Sequence, residues 1–145
     1  MKPALPFPGL QARVARARYA LERLRRIATV PYKQYSRDRD LMDIAERNMQ
    51  VLLEAILDTA GFIVARRGLG SPTSYREVVD LLISAKIIPN HLIDLAKSIP
   101  GMRNILVHGY AEVRHDLIYN SIRKELSMLA QLLELLINEA EALDP

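Results

Sequence analysis

Between Asp38 and Arg67 the chain runs for thirty residues without a proline and with one glycine, Gly61. Over that stretch Leu41, Ile44, Ala45, Met49, Leu52, Ala55, Ile56, Ala60 and Ile63 return at three- and four-residue steps, which lines them up on one side of a helix. Such a helix is far longer than the usual globular length of about 11–12 residues. It has to span the whole domain or meet a second subunit, and the remaining elements must be arranged around it. The same period recurs from Leu10 to Ala28 through Val14, Ala17, Leu21 and Leu24, and from Asp116 to Ala142 through Ile118, Ile122, Leu126, Leu129, Leu133 and Leu136. Shorter helices are expected at Tyr75–Ala85 and from His91 to Lys97. Pro100-Gly101 then either kinks the second of these or separates it from residues 102–110. No segment alternates with the period of a strand. The expectation is an all-α fold, an antiparallel bundle of about five helices joined by short links.

The punctuation agrees with this division. Pro3, Pro6 and Pro8 predict an extended arm over residues 1–9, because proline biases its predecessor away from the helix. Residues 29–40 (TVPYKQYSRDRD) read as a connector with Ser36 or Asp38 as the cap of the long helix. GLGSPTS breaks the chain after Arg67, and Thr73 or Ser74 is placed to cap the next helix with help from Glu77. Pro89-Asn90 marks a turn.

Half of the 145 residues are apolar, enough for one domain with a real core, and the absence of cysteine excludes disulfides and thiolate metal sites. No apolar run approaches the roughly 20 residues of a membrane span. The proline-rich start does not read as a secretory signal, so a cytoplasmic location away from membranes is expected. The net charge of +3 conceals an asymmetry: residues 1–37 hold nine Lys/Arg against the single acid Glu22, a net +8, and residues 38–145 sum to −5. This divides the chain into a basic arm and first helix over 1–37 and a bundle over 38–145 on which that helix packs. The basic segment fits a polyanion or an acidic protein partner, with Arg13, Arg16 and Arg23 as candidate RNA-phosphate contacts; it fits a solvated arginine face equally well. Tyr19 is the one aromatic residue among these arginines, which argues against a general single-strand-binding platform.

Residues 103–110, Arg103-Asn104-Ile105-Leu106-Val107-His108-Gly109-Tyr110, concentrate polar chemistry in an otherwise apolar helix. Asn104 and His108 are four apart and stack on one face, and Arg103 and Tyr110 share another. Arg103 and His108 are five apart and diverge by about 140° on a straight helix. They converge through long side chains, through distortion near Gly109, or by facing a second copy of the segment. Histidine can give or take a proton near neutral pH, and an arginine fork can hold phosphate oxygens and the charge of a phosphorane-like transition state. Phosphodiester cleavage of RNA fits this set, since the 2′-hydroxyl is an internal nucleophile and no metal is required. A satisfied polar helix end fits the same residues. No metal site is expected, because His91, His108 and His115 form no ligand pair at metal spacing beside carboxylates, and no cofactor is implied. His91 and His115 read as surface residues, and Tyr75, Arg76 and Glu77 as capping and surface residues that could also border a cleft.

The segment resembles the signature of the HEPN superfamily, and most closely the HepT-like branch, where it extends to R-x-x-x-x-H-x-Y: here Arg103, His108 and Tyr110. The likeness takes in residues 45–89, with the GLGSPTSYREV turn and the Ile88-Pro89 step, then GMRNILVHGYAEV and the helix after it, about 38–135 in all. Gly109 departs from the pattern, standing where a larger, often acidic residue is expected, and residues 1–37 match poorly.

The resemblance implies a homodimeric helical bundle, open to higher assembly, in which two Arg/His motifs line one cleft. It implies metal-independent endoribonuclease activity that leaves a cyclic phosphate, with His108 as general acid/base, Arg103 as phosphate clamp and Asn104 as polar orienter. It further implies the toxin half of a type VII-like toxin–antitoxin pair, neutralised when an MntA-like nucleotidyltransferase antitoxin attaches AMP to Tyr110. Two rivals stand beside that expectation. One is a non-catalytic helical dimer that binds and regulates a nucleotidyltransferase. The other is a nucleic-acid-binding module driven by the basic first helix.

Overall fold

The computed structural model describes residues 8–108 and 114–143. Six helices follow one another: α1 (Pro8–Ala28), α2 (Tyr32–Tyr35), α3 (Arg39–Arg67), α4 (Tyr75–Ser84), α5 (Asn90–His108) and α6 (His115–Ala142). All five expected helices are present among the described residues, and no strand is found there.

Local chemistry sets the ends. α1 begins at Pro8, inside the expected extended arm, because the first position of a helix tolerates a residue with no N–H and a fixed φ. Asp38 caps α3, its carboxylate accepting from the Leu41 N–H at 3.1 Å. At the other end Gly68 turns into the left-handed region at φ 63°, and the Leu69 N–H donates back to the Val64 carbonyl at 3.0 Å. Ser74 caps α4 by accepting from the Glu77 N–H at 3.2 Å, and Glu77 Oε2 accepts in return from the Thr73 N–H at 2.6 Å. α5 runs through the buried Pro100 as one element, although that residue cannot donate to the Ala96 carbonyl.

The unexpected element is α2, a single turn within the predicted connector. Tyr35 explains it. Its ring is fully buried against Tyr119, centroids 4.9 Å apart, and its hydroxyl donates to the His115 carbonyl at 3.4 Å. The Tyr119 hydroxyl donates to the Val30 carbonyl at 2.6 Å, and Arg123 donates to the Ala28 carbonyl at 3.1 Å, so α6 satisfies the exposed end of α1.

α3 is the hub, packed by α1, α4, α5 and α6. Met49, Leu52, Leu53, Ile56, Leu57 and Ile63 are buried on it, facing Leu24 of α1, Leu82 of α4, Leu92 and Ile99 of α5, and Leu129, Leu133 and Leu136 of α6. Each such side chain stabilises the bundle by about 1.5–3 kcal/mol through removal from water. By length and composition alone α3 is long and apolar enough to cross a bilayer, as the core helix of a bundle also is, and 61% of its most apolar window is buried inside the bundle.

Candidate active site on helix α5

The end of α5 divides its residues between two environments. Leu106 enters the core, while Asn104, Ile105 and His108 are exposed, Ile105 at 51%. Arg103 is half-buried and turns the other way, toward α4: its guanidinium carbon lies 5.3 Å from the centroid of the Tyr75 ring. This is the divergence that five residues of helix impose. Asn104 stays beside the arginine, its Oδ1 accepting from Arg103 Nη1 at 3.4 Å. Arg103 Nε is buried and meets no acceptor among the described residues. Gly109 and Tyr110 lie outside the described residues, as do residues 111–113.

Behind Arg103 a chain of polar contacts crosses the bundle. The Tyr75 hydroxyl donates to Asp58 Oδ1 on α3 at 2.9 Å, and Asp58 Oδ2 accepts from Arg13 on α1. Burial pushes the Tyr75 phenol above its usual range, the bond to Asp58 adds to that, and the Arg103 charge opposes it. Tyr75 therefore stays protonated and serves as a donor at physiological pH. Asp58 was not singled out from the sequence, and Tyr75 only as a capping and surface residue. An acid within an apolar stretch of a long helix was the available signal for Asp58.

The basic face of α1 is largely occupied. Arg18 forks onto Glu134 of α6 with both bonds at 3.1 Å, an arrangement that raises the arginine's pKa, chiefly through that bond. Arg25 pairs with Glu22, and Arg23 lies over the Tyr19 ring and donates to its hydroxyl at 3.0 Å. Arg13, paired with Asp58, and Arg16 line a recess of about 230 Å³ with Arg47, Glu54 and Asp58, and Arg23 is not among its lining residues. His91 is exposed and pairs with Gln131 Oε1 at 3.2 Å; His115 opens α6, half-buried, with Nδ1 enclosed and unpartnered among the described residues. No cluster of three or more metal-ligating His, Asp or Glu side chains occurs among the described residues.

Fold and site together define a class: a small helical bundle in which a long central helix supports a shorter one ending in an Arg-x-x-x-x-His surface. The chain belongs to the HepT-like family of the HEPN superfamily, matching the description "Ribonuclease HepT-like" over residues 17–136. The match begins within α1, so the family covers more of the N-terminal segment than the sequence resemblance over about 38–135 suggested. The chain is 32% identical over 103 residues to an mRNA nuclease HepT of Shewanella oneidensis, covering 71% of this chain and 77% of that protein. Its fold is similar to the tri-AMPylated Shewanella oneidensis HEPN toxin solved in complex with MNT antitoxin, with a TM-score of 0.78 and 26% identity over 91% of this chain and 98% of that one. A toxin–antitoxin structure with AMP-PNP matches with a TM-score of 0.76 and 26% identity over 90% and 98% of the two chains.

Proposed function

We propose that this chain is the toxin of a toxin–antitoxin pair, an endoribonuclease that cleaves RNA without a metal at the end of α5. The observation that carries the reading is the placement of the motif: Arg103 seated over Tyr75, with Asn104 and His108 open to solvent on the same short stretch of helix. His108 serves as general acid/base, Arg103 holds the scissile phosphate and the charge that develops on it, and Asn104 orients the group between them. Because Arg103 and His108 leave the helix in different directions, a second copy supplies the opposing half of the site. Ile105, exposed between Asn104 and Leu106, fits a two-fold contact there. Arg13 and Arg16, joined by Arg47, track RNA phosphates away from the cleavage point, with Arg23 further along the same helix.

The antitoxin is a nucleotidyltransferase of the MNT type, and it attaches AMP to Tyr110, two residues beyond His108. A phosphate attached there would compete with RNA for Arg103 and repel the substrate's own charge. The relative solved as a tri-AMPylated toxin with its MNT antitoxin supports this reading.

The test is cleavage of a single-stranded RNA by the purified protein in excess EDTA. Expected are products ending in a cyclic phosphate and a loss of about 10²–10⁴-fold in rate in His108→Ala. Full activity in that variant would remove the catalytic reading and leave a binding partner of the nucleotidyltransferase. Intact-mass measurement after co-expression with the antitoxin tests the control step: the expected gain in AMP units maps to Tyr110 and disappears in Tyr110→Phe.

A further inference from the structure

We propose that Tyr75 is a positioning residue for Arg103, held in register by Asp58 and Arg13, so that four helices fix the one guanidinium the site depends on. The inference rests on the reading of α5 as a cleavage site.

An arginine at a helix end has a long flexible stem, and its head must be ordered before it can act as a fixed clamp. Here α5 supplies little of that order. The Asn104 contact is long, at 3.4 Å, and Nε has no acceptor among the described residues. The ordering contact is the Tyr75 ring, 5.3 Å from the guanidinium carbon, whose electron-rich face attracts a cation. A ring orders its neighbour only if it is itself fixed. Tyr75 is fixed at both ends: its backbone follows the Ser74 cap of α4, and its hydroxyl donates to Asp58 at 2.9 Å. Asp58 in turn is held by Arg13 from the opposite side, which keeps the half-buried carboxylate compensated.

This accounts for a carboxylate in the apolar middle of α3, between buried Leu57 and Thr59, that helix packing alone does not require. A purely structural tyrosine would stabilise the α3–α4 contact without altering Arg103. A positioning tyrosine affects the arginine's surroundings and the chemical step.

Two readouts separate these. In ¹⁵N-labelled protein, the Arg103 Nε–Hε cross-peak is assigned by its loss in Arg103→Lys. The ring current of Tyr75 displaces it from the ordinary arginine position. The displacement is expected to vanish in Tyr75→Leu and to shrink in Tyr75→Phe, which keeps the ring but loses its bond to Asp58. In RNA cleavage, Tyr75→Leu is expected to lower kcat by about tenfold or more with KM changed less than about twofold, and Tyr75→Phe, without the bond to Asp58, falls between that variant and the parent. An Arg103 cross-peak unmoved by Tyr75→Leu, or a folded Tyr75→Leu protein with unchanged kcat while Arg103→Ala is inactive, overturns the proposal. Should Arg103→Ala and His108→Ala both cleave as the parent does, the cleavage reading fails by itself, and the cross-peak alone decides whether Tyr75 holds the arginine.

Discussion

The middle of α3 and the last turns of α5 are both helical and both rich in branched apolar residues, and the two helices pack on each other in one bundle. They use those residues differently. From Met49 to Val64 the apolar side chains of α3 go largely to the core, with Leu52, Leu53, Leu57 and Ile63 entirely enclosed. From Gly101 to His108 only Leu106 is buried, while Ile105 is exposed beside the exposed Asn104. Burial of α3 is dictated by packing and can be read as stability. The α5 end gives up apolar burial, and among the described residues Asn104 makes no hydrogen bond beyond the long one to Arg103, an arrangement that suits the proposed site.

The sharpest way to break that contrast is to damage each region and ask which property changes. Leu53→Ala is expected to lower unfolding stability by about 2–5 kcal/mol, because a fully enclosed leucine leaves a cavity. Its effect on RNA cleavage below the melting transition should be small. His108→Ala is expected to do the reverse: a melting temperature within a few degrees of the parent and cleavage reduced by the largest factor of any single change. Thermal melts and initial rates on both variants check this. Comparable losses of activity in the two, each in proportion to the folded fraction, would mean that the α5 end is only another part of the scaffold.

Much of the fold was legible because periodicity reports burial directly. The stripes on α1, α3 and α6 are the faces that pack, and the Asp38 and Ser74 caps fall at expected positions. What escaped was what tertiary contact decides. α2 exists because Tyr35 finds Tyr119 and the His115 carbonyl, both some eighty residues away, and no local pattern announces that. Likewise Tyr75 reads in sequence as the residue after a cap; only the crossing of α4 over α5 puts it under Arg103. The polar end of α5 was visible as a cluster, and helical geometry gave its divergence. The link from Arg103 to Asp58 on α3 and Arg13 on α1 was not legible, since a side-chain chain across four helices leaves no spacing to count.

Next in size is the exposed side of the same surface. If Ile105 lies at a two-fold contact, Ile105→Asp places two carboxylates against each other and removes two apolar anchors. A weakening of self-association by about a hundredfold, some 2.7 kcal/mol, is expected, with the melting temperature of the dilute protein little changed. Sedimentation equilibrium across a concentration series measures it, and RNA cleavage should fall in step with the dimer fraction. An Ile105→Asp protein that associates as the parent does would place the contact elsewhere, and attention would pass to Leu117, which is 48% exposed at the start of α6.

The smallest effect tests the packed side of the comparison through pH. Burial pushes the Tyr35 hydroxyl up from 10.0 to about 12, with the nearby tyrosines and Glu46 adding to it. A phenol whose pKa is raised on folding favours the folded state while it is protonated. Its contribution is therefore whole below about pH 10, where the unfolded tyrosine titrates, and is lost as pH climbs toward the folded value of about 12. Denaturant unfolding at stepped alkaline pH should show the parent losing on the order of 2 kcal/mol more than Tyr35→Phe across that window. Parallel alkaline curves for the parent and Tyr35→Phe would mean that α2 opens before the bundle does. The short helix would then belong with the adaptable surface of the molecule rather than with its core.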